Sequence, residues 1–401
     1  MRHASPSAAP RAALLAALCC VAAAASAPDT LLILPFSNLS GDKRMDWAGD
    51  AISEVLQEYL AAEGLSVVSS ELRDQAMEEM GLLRYAPITR ATAMEAAAAA
   101  SASLVLYGSF DLRPGGAAQG GGVVVRIDAH LIDTRRLSRR GAYLLEQPLE
   151  RLSAAQASLA WQVLRALRPE VLVSEEQFQA ARPALPAAAL ENYALGLRAE
   201  NPEIQHKFLA AAARIAPDFS LANYQLGWLN FFVFRNDSGA ASWFGRVPEQ
   251  SPHHRPSLFY LGICRYRTGE LEAAAAALRK LAAIAPLPEV LNNLGAVLLR
   301  MNDPAAAETL AAAAEANPSD PDISFNLGYA LWRASRFDEA ADALRRSLQA
   351  KEDSTATLLL GRCLQRQGPR PGELRLEGRE RIKTEYREEA WLALRALVEK
   401  P

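Results

Sequence analysis

The sequence predicts an α/β domain at the amino end and an all-α solenoid behind it. Between residues 30 and 168, short apolar runs of strand length alternate with helix-spaced amphipathic stretches. From residue 189 to 368, a Leu-Gly dipeptide recurs at near-constant spacing. At 50% hydrophobic and 22% charged residues, the 401-residue chain has the composition of a globular protein, not of a disordered or fibrous one. Lys plus Arg is 43 against 46 Asp plus Glu, so no basic field draws the chain to nucleic acid.

The first 27 residues have the order of a secretory signal peptide, with Arg2 and Arg11 positive, 12–25 apolar, and small residues following. Cleavage after Ala25 or Ala27 fits the A-x-A pattern. The mature chain then starts at Ser26 or Pro28, and its formal charge falls from −3 to −5 with the loss of the two arginines. Lipidation would need Cys19 or Cys20. The preceding residues, Leu18 and Cys19, do not suit it, so no lipid anchor is expected. No later apolar run reaches the roughly 18 residues of a membrane span.

The α/β domain is expected over 28–168. Thr30 to Phe36 has the length of a buried strand, and Ser37 to Asp42 makes a turn-rich loop. Trp47, Ile52, Val55, Leu56 and Leu60 mark a helix that stops at Gly64. Leu65 to Val68 is a strand, a helix capped by Ser70 follows, and Thr89 to Ala100 is an Ala-rich helix. Leu104 to Phe110, Val123 to Asp133 and Gly141 to Leu149 are strands, with Pro114 to Gly122 a Gly-rich connection. Ser153 to Leu167 closes the domain.

This order, with Leu34-Pro35-Phe36-x-Asn38-x-Ser40-Gly41-Asp42, Leu104 to Gly108 and Val125 to Asp133, resembles the amino-terminal domain of TolB-like and CsgG-like envelope proteins. The resemblance covers about 140 residues and implies a non-catalytic envelope module. Its loop at 37–42 stands where phosphates often bind, but it lacks G-x-x-x-x-G-K-[ST]. Asn, Ser and Asp satisfy loop backbone by themselves. Arg126, Asp128 and His130 share one strand face and are expected to be a solvated face, not an acid–base site.

Residues 169–188, with Pro169, Pro183 and Pro186, are expected to be a linker. The Leu-Gly pairs then fall at 195/196, 226/227, 261/262, 294/295, 327/328 and 360/361, spaced 31, 35, 33, 33 and 33. With Ala274-x₃-Leu278, Pro286, Ala307-x₃-Ala311, Pro318 and Ala340-x₃-Leu344, this resembles the tetratricopeptide repeat. About six units are expected, the second irregular over 236–256 and the sixth cut short by Pro369 and Pro371. Glu373 to Glu399 has Ile382, Tyr386, Ala390 and Leu394 on one helical stripe. A capping helix is therefore expected over 369–401.

In each first helix, positions three before, one after and four after the Gly share a face, which in the family lines the concave groove. Nine of these eighteen positions are aromatic: Tyr193, Tyr224, Trp228, Phe231, Phe259, Tyr266, Phe325, Tyr329 and Trp332. The 7% chain average would give about one. Arg267, Arg300, Arg333 and Arg366 recur five residues after the Gly, where a basic residue is also ordinary and favours a helix C-terminus, so the ladder reads first as structural. The nine rings with Arg300 and Arg333 are the expected partner-binding residues, although rings here also pack hairpins together. Cys264 and Cys363 lie three repeats apart, beyond disulfide reach, and are expected to stay free.

The resemblances together imply an exported binding or scaffold protein of the bacterial envelope that takes a protein or peptide in the groove, with no cofactor and no metal. A glycan stacked on the rings is one rival. A hydrolase is another, but no G-x-S-x-G or H-E-x-x-H occurs, and His253-His254 is the sole close histidine pair.

Overall fold

The computed structural model of the chain describes residues 29–82, 86–115, 122–370, 379–388 and 390–392. Residues 1–27, expected to be a signal peptide, and most of the Gly-rich connection lie outside the described residues.

A six-stranded mixed sheet forms the amino-terminal part. Strand β1 (Thr30–Ile33) lies between β3 (Ser66–Val67) and β4 (Leu104–Pro114), parallel to both. The short β2 (Ser37–Asn38) continues beside β4 where Pro35 has interrupted β1. From β4 the sheet runs on through β5 (Val123–Asp133) to β6 (Ser138–Pro148) as an antiparallel meander. Side chains alternate across the sheet, so β1 and β4 feed two cores. Leu31, Ile33, Leu106, Ile127 and Leu131 meet α1 (Trp47–Ala62) and α4 (Leu152–Leu167). Leu32, Leu34 and Val105 meet α2 (Ser70–Glu79) and α3 (Arg90–Ala99).

Two local readings change. The cap of α2 is Ser69, whose hydroxyl accepts from the Leu72 amide, not Ser70. Ser70 instead donates to Glu54 on α1. The 37–42 loop satisfies itself: Asn38 accepts from Ser40 and donates to the Asp42 carbonyl and the Asp46 carboxylate. Arg126, Asp128 and His130 stand on the water-facing side, paired with Glu146 and with one another.

Residues 169–188 are packed, not loose. They carry a short helix, α5 (Glu175–Ala180), started by a capping box of Ser174 and Gln177. Phe178 is buried, and Arg182 pairs with Glu63 of α1 at 2.7 Å. The first core continues from the sheet into the start of the array. One face of α1 is acidic at helical spacing, and each carboxylate has a partner. Asp50 meets Arg198 at 2.7 Å, Glu54 meets buried Arg73 at 2.9 Å, and Glu58 accepts from Ser220 at 2.7 Å. Unpaired buried carboxylates would be costly; the paired ones tie α1 to α2, to the first hairpin through Arg198 and to the second through Ser220.

Among the described residues, the array is five helical hairpins and one single helix. The hairpins are α6 (Ala187–Arg198) with α7 (Pro202–Ile215), α8 (Ser220–Trp228) with α9 (Asp237–Phe244), α10 (His254–Thr268) with α11 (Leu271–Ile284), α12 (Pro288–Arg300) with α13 (Ala306–Ala316), and α14 (Pro321–Arg333) with α15 (Phe337–Ala350). The single helix is α16 (Ser354–Leu364). The second hairpin is irregular because α8 runs into a π-helical turn, Leu229–Val233, and α9 is short.

The glycines show why Leu-Gly repeats. A Cβ on Gly196, Gly262, Gly295 or Gly328 would sit within 2.5 to 2.9 Å of Leu209, Leu278, Leu310 or Leu344 on the second helix of the same hairpin. At Gly361 a Cβ meets nothing within 4 Å, since among the described residues no second helix packs against α16.

The capping helix expected over 369–401 is helical at 388 and 390–392 among its described residues, but not before. Residues 379–387 carry no helical turn. They are extended, and the residues beside them in space are those of the groove.

Candidate functional site

The concave face of the third to sixth repeats is occupied by the chain's own residues 379–388. The polar floor is built by asparagines at neighbouring positions of α12 and α14. Asn326 donates to the Arg381 carbonyl and accepts from the Arg381 amide, both at 2.8 Å. Asn293 does the same at Lys383, again at 2.8 Å for each bond. Asn292 adds a second donor to the Arg381 carbonyl and accepts from Asn326. All three asparagines are fully buried. A buried amide group without partners is destabilising, so the floor calls for a polar chain above it.

Side chains reinforce the register. Lys383 lies 2.8 Å from Asp320 and 2.9 Å from Asp322. Burial alone would lower its amine, but the two carboxylates outweigh it and hold the amine above its ordinary range. Arg381 pairs with Asp353, and its guanidinium lies 4.6 Å over the Phe325 ring. The amide of Arg387 donates to Glu289 at 3.1 Å. Tyr386 packs on Phe259 with centroids 5.3 Å apart, Glu380 accepts from Tyr266 at 2.8 Å, and Arg255 pairs with Glu388. An open cavity of about 430 Å³ remains beside Thr384 and Glu385, against Pro288, Asn317 and Ile323.

The expected partner-binding rings prove to be floor and core. Phe259, Tyr266 and Phe325 touch the segment. Tyr329 is buried between Phe325 and Trp332, and burial pushes its hydroxyl up to about 12. Trp332 is 0% exposed, its indole N–H donating to the Gln367 carbonyl at 2.8 Å. Tyr193 is buried against Phe219 beside the α/β domain, away from the groove. Phe231 is buried among Phe232 and Tyr260, and half-buried Tyr224 stacks on His253 at 4.3 Å. Trp228 alone keeps substantial exposure, at 40%.

The arginines of the ladder have partners within the array. Arg300 lies 4.8 Å over the Tyr266 ring, and Arg333 donates to the Leu299 carbonyl at 2.8 Å and to Asn302. Arg267 pairs with Asp237 and Arg366 with Asp338. Each reaches back to the preceding repeat, so the ladder ties hairpins together instead of anchoring a ligand.

Asn293, Asn326, Asp320, Asp322 and Asp353 were not among the expected site residues. Their sequence signal is an asparagine two residues before the Gly in two consecutive repeats. A carboxylate six or eight residues before it is the second signal.

Cys264 and Cys363 are free and buried, and burial pushes their thiols up to about 12 and about 11. Among the described residues no cluster of three metal-ligating side chains occurs, and no helix is long and apolar enough to cross a membrane.

A tetratricopeptide repeat family model matches residues 235–287 and 292–355. No curated protein matches the chain. Among solved structures, the 41-end form of MamA from Desulfovibrio magneticus RS-1 is 19% identical, covering 42% of this chain and 97% of its own, at a TM-score of 0.37. YrrB, described as a TPR protein with an unusual peptide-binding site, is 14% identical over 51% of this chain and 90% of its own, at 0.37. PilF of Pseudomonas aeruginosa is 22% identical over 44% and 83%, at 0.36. The stacked hairpins and the glycine contacts agree with that family match: the helical part of the chain is a repeat array that over residues 235–355 is similar to the tetratricopeptide repeat.

Proposed function

We propose that the chain is an exported, non-enzymatic scaffold of the bacterial cell envelope that holds an extended segment of a protein partner along its concave groove. The observation behind the groove reading is the double clamp of Asn326 on Arg381 and Asn293 on Lys383. Backbone clamps of this kind hold any extended segment, while flanking side chains choose among them. The export reading rests on Arg2, Arg11 and the apolar 12–25 run. The likeness of the 28–168 domain to TolB-like proteins supports an envelope setting.

A photo-crosslinking residue placed at Asp322, on the groove wall, tests both parts in cells. The expected result is a cross-linked partner in the envelope fraction that disappears when Asn293 and Asn326 are changed to alanine. Cross-links confined to the chain's own 379–388 segment, with residues 1–27 retained in the purified protein, would overturn it.

A further inference from the structure

We infer that the groove selects a basic extended segment of the form Arg-x-Lys-x-x-Tyr-Arg, and that residues 381–387 occupy it in cis as the competitor of a partner segment of that chemistry. The inference rests on the groove reading above and adds to it the identity of the occupant.

The charge pattern is repeated along the array. Glu289 stands six residues before its repeat glycine, Asp322 six and Asp320 eight before theirs, and Asp353 eight before the last. Stacking turns these positions into a line of carboxylates along one lip of the groove. Asp320 and Asp353 each cap a first helix and still have capacity for a cation. Asp353 accepts the Thr355 and Ala356 amides through Oδ1 and meets Arg381 through Oδ2. The segment meets the line in reverse order: Arg381 at Asp353, Lys383 at Asp320 and Asp322, Arg387 at Glu289. It therefore runs antiparallel to the repeats, and Tyr386 follows onto Phe259. An acidic segment would place carboxylate against carboxylate at three successive repeats.

The resident segment is an imperfect occupant. It leaves the open cavity beside Thr384 and Glu385, so a partner with larger side chains at those two places gains contacts that the chain's own segment lacks. Its advantage is the tether. Eight residues, 371–378, join it to the end of the array. Short tethers of this kind give effective concentrations on the order of millimolar, which a free segment must overcome.

The test is a titration of a fluorescein-labelled peptide copying residues 379–390. It is run against the intact chain, against the chain ended at Gly368, and against the full chain with Arg381→Glu and Lys383→Glu. The charge-reversed chain keeps the experiment decisive should the shortened chain not fold, and circular dichroism checks both. The expected result is binding at least tenfold tighter to the opened chains than to the intact one. A peptide with Asp in place of Arg381 and Lys383 should bind at least tenfold more weakly, as should the normal peptide after Asp320→Asn and Asp322→Asn. Equal affinity for intact and opened chains overturns occupancy in cis while leaving the groove as a binding site. Equal affinity for the basic and acidic peptides overturns the selection. No binding to a folded, opened chain removes the groove reading itself.

Discussion

Asn326 holds Arg381 by both backbone groups at once, its Nδ2 donating to the carbonyl and its Oδ1 accepting from the amide, each at 2.8 Å. This is the hydrogen-bonding pattern that a neighbouring strand would offer, supplied by one side chain of a helix. Asn293 repeats it two residues along, at Lys383, where an extended chain turns the same edge back to the helix.

The double change Asn293→Ala and Asn326→Ala should free the segment. Loss of Asn293 leaves the Lys383 amide and carbonyl without partners, and loss of Asn326 leaves the Arg381 amide without one while Asn292 still donates to the Arg381 carbonyl, at about 1 to 3 kcal/mol per site. Hydrogen-exchange protection of residues 381–387 should fall at least tenfold, with helical content unchanged by circular dichroism. Protection that survives both changes would mean that the ion pairs alone hold the segment.

The helical solenoid was legible because its signal is steric. Gly295 cannot carry a side chain with Leu310 against it, so Leu-Gly must recur with each hairpin. The floor was less legible because rings attracted attention at positions where burial, not ligand contact, explains them. Trp332 and Tyr329 fill space between hairpins. The extended segment is ambiguous in sequence for a geometric reason. Ile382 and Tyr386 are four apart, a spacing that suits a helical stripe and equally one face of an extended chain. The local sequence could not choose. The asparagines chose, by satisfying the backbone that a helix would have satisfied internally.

The glycine ladder makes a contrast that can be measured. Gly295→Ala should destabilise the array by about 1 to 2 kcal/mol, because the new methyl group presses on the Leu310 Cγ at 2.5 Å. Gly361→Ala meets open space in a helix and should be neutral or stabilising by up to about 1 kcal/mol. Urea melts of the two variants decide this; equal destabilisation would contradict the hairpin packing.

The two tryptophans separate core from surface. Trp332→Ala removes a fully buried ring and its bond to Gln367, and should cost about 3 to 5 kcal/mol. Trp228→Ala, at a ring still 40% exposed, should cost far less. Thermal melts that rank them the other way would place Trp332 outside the core.

The thiols should be silent in the folded chain. Burial raises both Cys264 and Cys363 well above neutral pH, so little thiolate forms and little reagent reaches them. Reaction with a thiol reagent at pH 8 should be slow until denaturant opens the array, and then count both. A rapid stoichiometric reaction in native buffer would show that the helices around them open readily.

Acid should release the segment before it unfolds the array. Burial alone would raise the Asp320 carboxyl, but bonds from Lys383 and from the Ile323 and Asp322 amides outweigh it and hold it below the ordinary carboxylate range. A carboxyl depressed on docking adds stability above its free value of about 4, and that stability is lost as the pH falls through the docked value. Lys383 is shifted the other way. An amine raised on docking contributes fully below its free value of about 10, and its contribution is lost only as the pH rises through the docked value. Asp322 also faces Lys383, at 2.9 Å, and lies 3.9 Å from Lys351. The segment should therefore stay docked from about pH 5 to 9 and loosen below about 4. Protection factors for residues 381–387, corrected for the intrinsic exchange rate at each pH, should drop there while those of α12 and α14 persist. Lys383→Gln should flatten the dependence, because the Lys383 contribution to the Asp320 shift is then gone. If the segment and the helices lost protection together, at one pH, the docking contact would not be a separate acid-labile unit.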